Sequence, residues 1–79
     1  MAVLTAPTTE ILVDLEDKPG ALLAALSPLA QSGLNVLDLE ILKVREGEEG
    51  VLMMGFAKPE QAQAALDLLA KSGHKARLR

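Results

Sequence analysis

The sequence predicts an α+β fold: a ferredoxin-like βαββαβ sandwich, a four-stranded antiparallel sheet with two helices on one face. Three observations carry this. The chain has 79 residues, enough for one domain, and 49% of them are apolar, too many for a disordered segment. A 16-residue segment recurs 40 positions later with the pattern of a helix. Short segments with a period of two flank both copies.

The repeat comes first. Residues 18–33, KPGALLAALSPLAQSG, align without a gap on residues 58–73, KPEQAQAALDLLAKSG, and nine of the sixteen positions are identical. Composition explains some of this, because two Ala/Leu-rich helices share residues by chance. The paired KP starts and SG stops are more informative, since Pro opens a first turn and Gly closes a last one. Leu22, Leu26 and Leu29 form one apolar stripe at helical spacing, and Ala62, Leu66 and Leu69 the other. Pro28 lies inside the first helix, where it removes one backbone bond.

The strands follow. Residues 9–15 alternate with Ile11, Val13 and Leu15 on one face. Residues 34–45 carry apolar positions at Leu34 and Val36, then at Leu39 and Ile41. A β-bulge near Leu37–Asp38 would reconcile the two phases. Residues 46–50, EGEEG, read as a solvated turn. Residues 50–57 place Leu52, Met54 and Phe56 inward, and Met53 on the other face. Residues 74–79 set Ala76 and Leu78 against Lys75, Arg77 and Arg79, with His74 as an ordinary surface residue at the strand start. Residues 1–8 read as an N-terminal tail or linker, and 9–79 as the domain.

Composition narrows function. A net charge of −3 and a single aromatic, Phe56, argue against nucleic-acid binding. No apolar run approaches the roughly 20 residues of a membrane span, and no signal sequence appears, so the expected location is cytoplasmic. Cysteine is absent, which excludes disulfides and a thiol nucleophile. No catalytic set, metal-ligand set or nucleotide loop is present in the pattern, so the chain reads as a non-enzyme with no cofactor.

The two copies differ at their starts. The second has Glu60 and Gln61, an acidic start that complements the helix dipole. The first has Gly20 and Ala21, which leave the backbone N–H groups of residues 20–22 open to an anion, or else Gly20 serves the turn itself. Asp17 precedes this start and can act as a helix cap. Asn35 follows the first helix where Lys75 follows the second. The loop before a helix and the strand after it lie at opposite ends of that helix. Gly20 and Asn35 therefore meet on one small ligand only if two chains contribute.

Residues 15–36, LEDKPGALLAALSPLAQSGLNV, resemble the ACT domain through Asp17-Lys18-Pro19-Gly20 and Gly33-Leu34-Asn35-Val36. The second half, through Ile41-Leu42, Arg45-Glu46, Gly50-Val51-Leu52 and Phe56, is similar to the ACT domain at the C-terminus of prephenate dehydrogenases. The resemblance implies a regulatory amino-acid-binding module, with effector sites between two subunits. In it Gly20, Ala21 and Leu22 offer backbone, Asp17 an ammonium partner, and Asn35 a side-chain amide beside Val36. It implies a homodimer through the edge strand 34–45, a tyrosine or phenylalanine effector, and control of a catalytic dehydrogenase domain. Serine-binding members carry His at the position of Leu15, so serine is not the expected effector. An assembly module of the same fold without a ligand is the alternative. An acylphosphatase-like enzyme lacks its G-x-V-Q-G-V loop and arginine here.

Overall fold

In a computed structural model of the chain, residues 8–16, 19–42 and 50–79 are described. The elements are β1 (Thr9–Leu15), α1 (Ala21–Ser32), β2 (Asp38–Leu42), β3 (Gly50–Phe56), α2 (Pro59–Lys71) and β4 (Ala76–Leu78). The sheet runs β2-β3-β1-β4, antiparallel throughout, so the expected four-stranded arrangement is present. The turn expected at 46–50 lies outside the described residues up to Gly50, where β3 begins.

Alternation decides what is buried. Ile11, Val13 and Leu15 of β1 oppose Met54, Leu52 and Gly50 of β3 in register. With Phe56 these side chains form the sheet's share of the core, against Ala25 and Leu29 of α1 and Ala62, Ala65 and Leu69 of α2. Both helices thus bury more alanine than the leucine stripes suggest. Leu22, Leu26 and Leu66 pack at the margin. Met53 was expected on the open face and does lie opposite Leu12 and Glu40 there, yet it is only 3% exposed.

The second strand starts later than expected, and the last expected residues, 43–45, lie outside the described residues. It starts at Asp38, and residues 34–37 precede it without strand structure. No bulge is required. Leu34 and Val36 point into the core margin from a connecting segment, which is why their phase does not match that of Leu39 and Ile41. Leu37 enters the sheet through its N–H, which donates to the Gly55 carbonyl at 2.9 Å.

β2 is an edge strand of the sheet. Leu39 pairs with Met54 and Ile41 with Leu52, so both occupy the helix-side face. Neither helix packs on this strand. Leu39 is consequently 46% exposed and Ile41 51%. At the other edge Leu78 shares the core-side face with Ile11 but is exposed, so only Ala76 of the predicted inward pair contributes to packing.

Candidate ligand site at the start of the first helix

The two repeat copies enter their helices differently. Pro59 is the first helical residue of α2, preceded by Lys58 in an extended conformation. By the 40-residue offset α1 would start at Pro19. It starts two residues later, at Ala21, because Gly20 takes φ +82° and ψ −5°. That left-handed conformation is the reason glycine is present, since a side chain there strains the backbone. Of the two expected uses of Gly20, the turn is the one this conformation requires: KPG and KPE build different turns.

The entrance retains the properties an anion would use. The first intrahelical bond runs from the Ala24 N–H to the Gly20 carbonyl at 2.9 Å, so the amides of Ala21, Leu22 and Leu23 precede any intrahelical acceptor. Gly20, the N-cap residue, has no side chain to cap this end, and no acidic residue occupies the first turn. Gly20 is exposed, and open space surrounds the position a Cβ would take. Asp17 and Lys18 lie outside the described residues.

Asn35 and Val36 sit elsewhere. They follow Gly33, the left-handed residue that ends α1. A 12-residue helix, about 18 Å long, separates them from Gly20. Asn35 is exposed and Val36 half-buried. Within one chain the proposed ligand residues form two separate groups.

A cleft of about 250 Å³ opens beside the first group. It is lined by Asp14, Leu15 and Glu16 at the end of β1, Ala21 and Ala24 of α1, and Gly73, His74 and Lys75 between α2 and β4. A Schellman motif delivers the last three. The Gly73 N–H donates to the Ala70 carbonyl at 3.1 Å and the His74 N–H to the Leu69 carbonyl at 2.9 Å, with Gly73 at φ +84°.

His74 is not the ordinary surface residue its position suggested. It is half-buried, and its Nε2 lies 3.2 Å from the Ala24 carbonyl oxygen. That carbonyl would normally accept from the N–H of residue 28, which is Pro28 and has none. His74 thus replaces the bond that the proline removes, acting as donor in the Nε2–H tautomer. The repeat carried the clue: the counterparts of Pro28 and His74 are Leu68 and Leu34, so both replacements occur together. On the outer face, Arg77 Nη1 lies 2.9 Å from Asp14 Oδ1, a pair open enough to water to be worth at most about 1 kcal/mol.

The comparisons with known proteins agree with this architecture. The family model described as the ACT domain matches residues 9–73. The ACT domain of the prephenate dehydrogenase TyrA from Bacillus anthracis superposes with a TM-score of 0.78 at 34% identity, covering 86% of this chain and 99% of that one. The ligand-free regulatory subunit of aspartate kinase from Thermus thermophilus gives a TM-score of 0.76 at 26% identity, over 98% of this chain and 53% of that one. The match runs from the first residue of β1 to the glycine that closes α2, and the chain belongs to the ACT domain family.

Proposed function

We propose that this chain is a regulatory domain that binds an amino acid between two copies of itself and thereby controls an amino-acid biosynthetic enzyme. The single observation that supports this best is the α1 entrance, whose first turn holds no acidic residue where that of α2 holds Glu60. In this reading the amides of Ala21 and Leu22, with Gly20 and Asp17, hold the effector's carboxylate and ammonium groups. Asn35 and Val36 of a second chain complete the site. The β2 edge supplies the contact between chains, since exposed Leu39 and Ile41 beside unpaired backbone groups favour association. The ligand acts by binding two arrangements of the subunits unequally.

The likeness to a prephenate dehydrogenase domain favours an aromatic effector, tyrosine or phenylalanine, and a dehydrogenase as the controlled enzyme. Serine is disfavoured, because Leu15 is a core residue at 8% exposure and offers no hydrogen bond. A thermal-shift panel of the common amino acids tests the reading. At 100 times Kd an effector stabilises the fold by about 2.7 kcal/mol. A flat response to all of them would favour the ligand-free assembly module. The left-handed Gly20 is the observation on that module's side, because it gives this glycine a purely structural reason to be there.

A further inference from the structure

The face of the sheet turned away from both helices carries its charges in order. One row crosses all four strands in register: Arg77, Leu12, Met53 and Glu40. The next row ends on the same signs. Arg79 lies beside Glu10 at one side, and Asp38 lies beyond Gly55 at the other. A third row sets Val51 and Leu42 beside Asp14. The face therefore has a basic β4 side, an apolar middle and an acidic β2 side. Asp38 and Glu40 are exposed and make no ion pair with any described residue. Arg77 and Arg79 are exposed too, and they pair with Asp14 and Glu10. A guanidinium has five N–H donors, so each arginine can keep its partner and still serve a second carboxylate.

Such a face is complementary to itself. A two-fold axis parallel to the strands lays β2 of one copy over β4 of the other and β3 over β1, and it keeps each row on its own row. Glu40 of each copy then faces Arg77 of the other, and Asp38 faces Arg79. Met53 meets Leu12, and Glu10 comes over Gly55, which has no side chain to obstruct it. A partner of another sequence would have to reproduce this pattern, whereas a second copy brings it by symmetry. We propose that the outer face of the sheet is a contact between two copies of this chain, stacked sheet on sheet. It makes no use of the β2 edge and rests on no ligand. Strands about 4.8 Å apart and rows about 6.8 Å apart give it roughly 400 Å² per copy, about half of a standard interface. The contact is therefore weak, and it forms where copies are crowded or held together at millimolar effective concentration.

The test is sedimentation equilibrium from about 10 μM to about 1 mM, on the unaltered chain and on Ile41→Lys, which disables the edge contact. Both are expected to show an association step with a midpoint of roughly 0.1–1 mM, beyond the species present at micromolar concentration. In the Ile41→Lys chain, Glu40→Lys and Arg77→Gln should each weaken that step about tenfold or more, because the two-fold axis counts every change twice. Glu60→Lys removes as much negative charge as Glu40→Lys, but from the helix side. In a chain of net charge −3 it should leave the step unchanged or strengthen it. No step up to about 1 mM would overturn the stacked contact. So would a step that Glu60→Lys weakens as much as Glu40→Lys does. A step weakened by Glu40→Lys and untouched by Arg77→Gln would also overturn it, and would assign the association to the β2 edge.

Discussion

Gly20 shows how two similar tripeptides diverge. KPG and KPE differ at one residue, and nothing in the local pattern distinguishes a glycine needed for its φ from one needed for its missing side chain. The φ of +82° gives the first reason, and the open space around it is compatible with the second. Gly20→Ala is expected to cost about 1–2 kcal/mol, lowering Tm by several degrees in a domain of this size, with Gly20→Asn costing less because Asn tolerates the left-handed region. Melting curves of the two variants check this; equal melting temperatures for both and the parent would show that the turn relaxes freely. Residues such as Ile11, Val13, Leu52 and Phe56 were legible at this scale because alternation alone decides their face. His74 was not, because its partner lies 50 residues away and is a carbonyl that only Pro28 makes available.

At the scale of elements, the strands and helices followed from their periods, while their ends depended on tertiary contacts. The sequence places the start of β2 too early, because Leu34 and Val36 look like strand residues, yet they are apolar to fill the margin of the core from a connecting segment. α1 starts two residues after Pro19 because of the left-handed Gly20. Inside α1, Pro28 and His74 form a compensating pair. His74→Ala should cost about 0.5–1.5 kcal/mol in the parent, the net worth of a neutral hydrogen bond. In a Pro28→Ala background the same change should cost less, because residue 28 regains its N–H and bonds Ala24 itself. A double-mutant cycle by denaturant unfolding measures the difference. Strict additivity would mean that His74 does not stand in for the bond that Pro28 removes. His74→Gln should retain part of the effect, since its amide also donates.

For the whole molecule the decisive feature is the asymmetry of the sheet: α2 contacts β1, β3 and β4, while no helix contacts β2. On the proposed association through β2, Ile41→Lys should convert the chain to a monomer by light scattering at micromolar concentration. The monomer's own stability should change by no more than about 0.5 kcal/mol, as is usual for an exposed position. An unchanged oligomer mass would move the interface elsewhere. Amide protection would follow the same pattern, rising along 38–42 when chains pair. An edge left open in this way also ties the fold to mass action. If two chains unfold as one dimer, each tenfold dilution removes about 1.4 kcal/mol of stability per dimer. Such a chain melts at a temperature set partly by its own abundance, and a cell holding little of it would hold it closer to unfolding than a cell holding much.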